Sequence, residues 1–312
     1  MVTLVYDVII VGSGPAGLTS AVYCGRALLK TLVIAGSVPG GQLMLTTEVE
    51  NFPGFEEPIL GPDLIQHMRK QAERFGAEFI QDDAMSVDFK TRPLKVSTAG
   101  KTYEASAVII ATGASAKWLG LDSETRLRGK GVSSCATCDG FFFRGKDTVT
   151  VGGGDVALED TMFLTKFANH ATIIHRRDAL RASKILQDRA SKNSKISFVW
   201  DSVVEEVLGQ QKVEGVRVRN VKTGKQGVLK CDGVFVAIGH EPNTAIFQGQ
   251  VELDQKGYIV TRQGTATSVE CVFACGDVRD FHYRQAITAA GDGCRAAMDA
   301  EDYIEEKGLR GH

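Results

Sequence analysis

The chain has 312 residues, 43% hydrophobic and 24% charged, with a formal net charge of -2 and a sequence pI near 6.3. That balance suits a globular protein of two domains and gives no basic footprint for nucleic acid. No apolar run approaches the roughly 20 residues a bilayer span needs, and no basic stretch leads into a long apolar one at the N-terminus, so neither a membrane segment nor a secretory signal is expected.

In chain order, Leu4 to Val11, Pro15 to Ala27 and Lys30 to Ala35 read as strand, helix and strand. The turn between the first two is Gly12-Ser13-Gly14-Pro15-Ala16-Gly17, a glycine fingerprint whose helix amides can meet a diphosphate. The acid that usually closes the second strand of such a unit is missing, because that strand ends Val33-Ile34-Ala35-Gly36. Ribose recognition there falls to backbone or Ser37. Pro39 to Phe55 has no period and is rich in Gly, Thr and Asn, the character of a functional loop. Leu64, Ile65, Met68, Ala72 and Phe75 then mark a helix over Gly61 to Phe75, and short strands lead to Val108-Ile109-Ile110-Ala111-Thr112-Gly113.

Cys135-Ala136-Thr137-Cys138-Asp139 follows. Three residues apart, the two thiols can close a small-ring disulfide or, when reduced, face one partner. Structural zinc would need a second ligand pair at similar spacing, and the chain has none, so no metal is expected. Asp139 can shuttle a proton beside the second thiol or simply cap a turn. The other five cysteines, Cys24, Cys231, Cys271, Cys275 and Cys294, are scattered. Such use fits buried apolar roles in a reducing compartment, and a cytoplasmic protein is expected.

The strand–turn–helix grammar then restarts. Thr148 to Val151 leads into Gly152-Gly153-Gly154-Asp155-Val156-Ala157, a helix to Ala168 and a strand Ala171 to His175. Where an acid would take an unphosphorylated ribose, this unit has His175-Arg176-Arg177, with Arg181 a turn further on. Guanidinium forks match a phosphate dianion, so the unit is read as binding NADPH, with Gly153, Gly154 and Asp155 at the turn. Its ending Val236-Ala237-Ile238-Gly239 echoes Ala111-Thr112-Gly113.

A third such ending, Val272-Phe273-Ala274-Cys275-Gly276-Asp277, has no fingerprint upstream. The economical explanation is that it completes the sheet begun at residue 4, placing Asp277 near a ribityl hydroxyl or diphosphate. The fold expected is therefore α/β, with two Rossmann-like dinucleotide-binding domains and the NADPH domain inserted into the FAD domain. Residues 1–116 and 244–312 form the FAD domain, and residues 117–243 form the NADPH domain carrying the dithiol. The paired crossings near Ser115–Lys117 and Glu241–Asn243 are an expected hinge. Gln285 to Glu306 reads as a helix interrupted at Gly291 and Gly293, with Glu301, Asp302, Glu305 and Glu306 as a solvated face.

Over essentially its whole length the chain resembles the low-molecular-weight, bacterial-type thioredoxin reductases. The landmarks are GSGPAG (12–17), PGGQL and TTEVENFPG (39–54), ATG (111–113), CATCDG (135–140), GGGD (152–155), HRRDALRASK (175–184), AIGHEPN (237–243), CGD (275–277) and YRQAITAAG (283–291). The resemblance implies FAD held by Ser13, Gly14, Pro15, Ala16, Gly41, Gln42, Asn51, Gly276, Asp277, Arg284, Gln285 and Ala286. It implies Cys138 toward the flavin, Cys135 as the attacker of thioredoxin's disulfide, and a homodimer. Two places depart from the family pattern: Val156, where relatives often carry a small hydroxyl residue, and Asp292-Gly293-Cys294-Arg295. The rivals are a related flavin dithiol enzyme serving oxygen or another redoxin, and a nucleotide-responsive redox sensor without turnover. An oxidase gives no reason for the His175–Arg181 cluster.

Overall fold

The computed structural model describes residues 5–46 and 48–310. Leu4, at the head of the expected first strand, and Thr47, within the expected irregular loop, lie outside them. The chain divides into an outer unit, which runs to Ser115 and resumes at Glu241, and an inner unit, Ala116–His240.

In the outer unit, β-branched runs without alternation form strands buried on both faces, the condition of a parallel sheet. Val5–Val11 lies between Thr31–Ile34 and Thr102–Ile110 and runs parallel to both. Glu78–Ile80 extends one side. The second half of Thr102–Ile110 also pairs with Val272–Ala274 in parallel, Val272 opposite Val108 and Ala274 opposite Ile110. A strand from beyond the inner unit thus completes the sheet begun near the N-terminus. Its first half pairs antiparallel with Leu94–Ser97, which continues to Ser86–Asp88. Val8, Ile9, Ile10, Val33, Ile109 and Ile110 are fully buried in this core.

The inner unit carries a five-stranded parallel sheet in the order Val132–Ser133, Gly233–Ala237, Asp147–Gly152, His170–Ile174, Ile196–Val199. An antiparallel meander, Ser202–Leu208, Gly215–Asn220 and Gln226–Lys230, follows the last of these strands. The helix expected to reach Ala168 stops at Leu164, where Thr165 turns its hydroxyl onto the Met162 carbonyl at 2.7 Å. Ala114–Ala116 and His240–Pro242 pair as a two-stranded ribbon. Asn243 knits its outer end, donating from Nδ2 to the Thr112 carbonyl at 2.8 Å and from its backbone N–H to Gly113 at 3.0 Å.

Helix Ala286–Glu306 runs unbroken through Gly291 and Gly293, contrary to the interruption expected there. The reason is proximity. Gly293 presses on the first helix, Pro15–Arg26, so closely that a Cβ would stand 2.1 Å from the Ala16 carbonyl oxygen. Ser20 Oγ reaches the Gly293 carbonyl at 2.9 Å across the same seam. Gly291 instead is exposed, with nothing near its Cβ position. Gly293→Ala should therefore cost about 1–3 kcal/mol through overpacking. Gly291→Ala should stabilise by up to about 1 kcal/mol through helix propensity. Guanidinium denaturation of the two variants checks the contrast; equal shifts of the same sign would refute the close-approach account.

Candidate active site

The outer sheet ends in a turn that only glycine can make. Gly12 has φ +116°, and a Cβ there would lie 2.3 Å from the Ala111 carbonyl oxygen. Helix Pro15–Arg26 then starts from Gly14 with no side-chain cap and no acid in its first turn. The amides of Ala16 and Gly17 are buried, and no acceptor reaches them among the described residues. Buried N–H groups left open at a helix start, on the positive end of its dipole, are a built anion site.

Other candidates converge on this helix start. Ser13 Oγ donates to the Ala35 carbonyl at 2.7 Å and accepts the Gly40 N–H at 2.9 Å. That draws the following loop back over the turn, and Gly41 stands above Gly14 with Gln42 beside it in the short 3-10 turn Gly41–Leu45. From the other side Gly276 meets Ala16, its Cβ position 2.9 Å from the alanine methyl. Asn51 Nδ2 donates to Gln285 Oε1 at 3.3 Å, and Gln285 with Thr288 forms the capping box of the helix that opens at Ala286. Burial pushes the Asp277 carboxyl up to about 7; the Asp280 charge adds to this and the Arg284 charge opposes it. Arg284 itself sits at φ +48°, strain that recurs at binding sites. Open amides for a diphosphate and a carboxyl for a sugar hydroxyl fit the expected FAD.

A carboxylate from another element stands beside the end of the second strand. Asp83, beyond the strand Glu78–Ile80, accepts the Ser37 N–H on Oδ1 at 2.8 Å, and this bond with the Ser37 side chain lowers its pKa. Gln81 Nε2 donates to the Ser37 carbonyl at 3.2 Å. Ser37 therefore spends its backbone donor on the carboxylate. No local pattern marks Asp83, because its position depends on which strand pairs with Thr31–Ile34.

In the inner unit the second turn leads to helix Asp155–Leu164, again started by a glycine, Gly154, without a side-chain cap. Asp155 Oδ1 accepts the Ser183 N–H at 2.7 Å, which turns its charge away from the helix start. The Gly153 carbonyl accepts the Arg181 N–H at 2.7 Å, tying the arginine segment back to the turn. His175 is packed against Gly153, and its Nε2–H donates to the Ala179 carbonyl at 3.1 Å. Burial, with the Arg181 and Arg177 charges nearby, holds its imidazole below the ordinary value, so the ring is neutral at pH 7. Arg176, Arg177 and Arg181 are exposed, and none has a carboxylate partner among the described residues. An unneutralised guanidinium cluster beside an uncapped turn fits a phosphorylated ribose. Val156 is half-buried just inside that helix.

Cys135 and Cys138 are joined as a disulfide, their Cα atoms 5.3 Å apart, around the one-turn helix Ala136–Asp139. The pair follows strand Val132–Ser133, at the C-terminal edge of the same parallel sheet as the second glycine turn. That edge is where open α/β sheets bind ligands. The Cys135 N–H donates to Ser133 Oγ at 3.0 Å. Burial raises the Asp139 carboxyl above the usual carboxylate range, partly offset by a bond from Ser133. The remaining thiols differ. Cys24, Cys231, Cys271 and Cys275 are buried, and burial pushes Cys231 and Cys275 up to about 12. At neutral pH such thiols hold almost no thiolate.

A family model for the pyridine nucleotide-disulphide oxidoreductases matches residues 6–293. The chain belongs to that family, and within it to the bacterial-type thioredoxin reductases. It is 55% identical over 304 residues to the thioredoxin reductase of Rickettsia conorii, covering 96% of this chain and 98% of that one. It is 56% identical over 303 residues to the thioredoxin reductase of Streptomyces coelicolor, covering 96% and 94%. The crystal structure of thioredoxin reductase from Streptococcus pyogenes superimposes with a TM-score of 0.93 at 44% identity, over 97% of this chain and 99% of that one. No helix among the described residues is long and apolar enough to cross a membrane.

The raised Asp277 carboxyl gives a pH signature. Its folded value of about 7 lies above the unfolded value of about 3.9. As pH rises between these values the unfolded chain loses its proton first, so stability of the flavin-free protein should fall across that window and level off above it. Asp277→Asn should remove this slope. Denaturation of parent and variant at a series of pH values checks it, and parallel curves between about pH 4 and 7 would overturn the assignment.

Proposed function

We propose that this chain is an NADPH-dependent thioredoxin reductase. In this reading FAD lies on the outer unit at Ser13–Ala16, Gly41, Gln42, Asn51, Gly276, Asp277 and Arg284–Ala286. NADPH lies on the inner unit at Gly153–Asp155, His175, Arg176, Arg177 and Arg181, and the Cys135–Cys138 disulfide is the redox centre. The observation that carries the reading is the placement of that disulfide. It shares the edge of one parallel sheet with an uncapped glycine turn and an arginine cluster that has no carboxylate partner among the described residues. We further place the enzyme in the cytoplasm, where the free thiols of Cys24, Cys231, Cys271, Cys275 and Cys294 persist, and read it as a homodimer. Fractionation and sedimentation velocity check these two points.

Bound FAD would supply a carrier that takes two electrons from NADPH and gives them to the disulfide. The protein's own chemistry begins once Cys135 and Cys138 are thiols. The Cys135 thiolate attacks one sulfur of thioredoxin's disulfide, forming a mixed disulfide and releasing one thioredoxin thiolate. Cys138 then attacks Cys135 Sγ, which restores the intramolecular disulfide and releases the second thiolate. Both leaving thiolates need protons. Asp139, held more protonated than an ordinary carboxyl, stands one residue from Cys138 to deliver one. The net change is NADPH, a proton and a disulfide converted to NADP and a dithiol.

Two outcomes test this. Cys135→Ser and Cys138→Ser should each abolish NADPH-driven reduction of thioredoxin, yet leave the yellow holoenzyme bleachable by NADPH in the absence of oxygen. Thioredoxin turnover by either variant at a tenth of the parent rate or more would sink the relay. Charge-assisted hydrogen bonds contribute roughly 1.5–3 kcal/mol each. Replacing Arg176 and Arg177 together by Ala should therefore narrow the NADPH/NADH ratio of kcat/KM by at least about tenfold while sparing turnover with NADH. An unchanged ratio would move the 2′-phosphate site elsewhere.

A further inference from the structure

Asp292 is one of the few acidic side chains buried in the outer unit, 9% exposed in the middle of helix Ala286–Glu306. Neither the dithiol chemistry nor the nucleotide contacts described above employ it. Its two oxygens are divided between two jobs. Oδ2 accepts the backbone N–H of Gly276 at 2.9 Å, and Oδ1 accepts Arg279 Nη1 at 3.0 Å. Arg295 Nη1, one turn along the same helix, lies 3.9 Å from Oδ1 and is largely solvated. Arg279 is only 23% exposed, so the Asp292–Arg279 pair is substantially withdrawn from water.

The pair closes a ring. The Gly276 carbonyl accepts the N–H groups of Arg279 and Asp280, both at 3.0 Å. Arg279 therefore holds Gly276 twice, directly through its backbone and indirectly through Asp292. Gly276 sits at φ +74° and against Ala16, and Gly293 beside Asp292 presses on the Ala16 carbonyl. The carboxylate thus ties the turn that presents Asp277 to helix Ala286–Glu306, which through Gly293 packs against Ala16 at the start of the helix whose amides form the anion site. We infer that Asp292 and Arg279 are a positioning pair for FAD, fixing the Gly276–Asp277 turn in its binding geometry against the start of helix Pro15–Arg26. The inference rests on the reading that the outer unit holds FAD. Neither side chain touches the reacting atoms in this account; each acts through the main chain of Gly276.

The measurement is the rate at which the purified holoenzyme releases FAD on dilution, followed by recovery of flavin fluorescence. Asp292→Ala leaves the Gly276 N–H and the Arg279 charge without a partner, and release should accelerate by about tenfold or more. Asp292→Asn keeps an acceptor for Gly276 but loses the ion pair, so its rate should fall between parent and Asp292→Ala; it also serves should the alanine variant not fold. Arg279→Ala should accelerate release as well. The double Asp292→Ala/Arg279→Ala should lose less than the product of the two single effects, because no charge is then left unpaired. A purely structural brace would lower the denaturation midpoint of flavin-free protein in these variants while leaving FAD release at the parent rate, and that result would overturn the inference. So would strictly multiplicative effects in the double variant. Failure of the parent itself to retain FAD would instead overturn the cofactor reading.

Discussion

The constraint on which this architecture depends is the open start of a helix. Pro15 has no N–H to satisfy, but Ala16 and Gly17 do, and both are buried beside a glycine cap that has no side chain to offer them. Leaving such donors unmet costs free energy that packing alone does not return. An anion removes the cost and gains from the helix dipole. The surroundings of this helix start make sense as a device for keeping it open yet exactly positioned by contacts on each side: Gly12 beneath Ala111, Ser13 pinning Ala35 and Gly40, Gly276 and Gly293 against Ala16. A larger residue at Gly293 would force the last helix off the first, and with it the turn that carries Asp277.

The inner unit repeats the open helix start but surrounds it with the opposite electrostatics. In the outer unit the end of the second strand meets a carboxylate, Asp83, imported from a neighbouring loop. In the inner unit the same topological place carries three guanidinium groups, and the one acid at the helix start, Asp155, is occupied with Ser183. Two sites with one backbone plan are thereby separated by charge. A carboxylate suits a ribose hydroxyl, and guanidinium groups with no carboxylate partner among the described residues suit a phosphate dianion. Within the inner unit the meander from Ser202 to Lys230 begins at the C-terminal side of the last strand, and the Ser202 N–H is held by the His175 carbonyl at 3.0 Å. That bond fixes the backbone from which the arginine segment departs.

Legibility from sequence followed the range of the interaction. The glycine turns, the dithiol and the arginine cluster are local patterns, and their types and spacing carry their chemistry. The third strand ending, Val272–Ala274, could be assigned to the first sheet because it lacked a fingerprint of its own, a topological argument that needs no contact. What escaped depended on distant approach. Asp83 gains its place only through the pairing of Glu78–Ile80 with the second strand. Gly291 and Gly293 read alike as helix breakers, yet one faces solvent and the other a carbonyl oxygen from a different helix. Asp292 read as an oddity because its partners, Gly276 and Arg279, lie sixteen and thirteen residues away on another element. The helix stop at Leu164 was missed because the last turn tightens there, the Leu164 carbonyl accepting both the Phe167 and Ala168 N–H groups, with no glycine or proline to mark it.

Placement of the thiols completes the physical argument for directed electron flow. A chain with seven cysteines offers many routes for disulfide exchange, most of them harmful. Four are closed by burial, which disfavours the thiolate that exchange requires. Cys294 is only half-buried, with Met298 Sδ 3.9 Å from its sulfur. Among the described residues none of these five cysteines is disulfide-bonded. Cys135 and Cys138 differ from the rest in having each other, on one turn of helix at an open sheet edge, with a carboxyl raised by burial next in sequence. Redox selectivity in this chain therefore arises less from activating one pair than from disabling the alternatives, and a single fold achieves it by putting five cysteines where small apolar or half-buried residues belong.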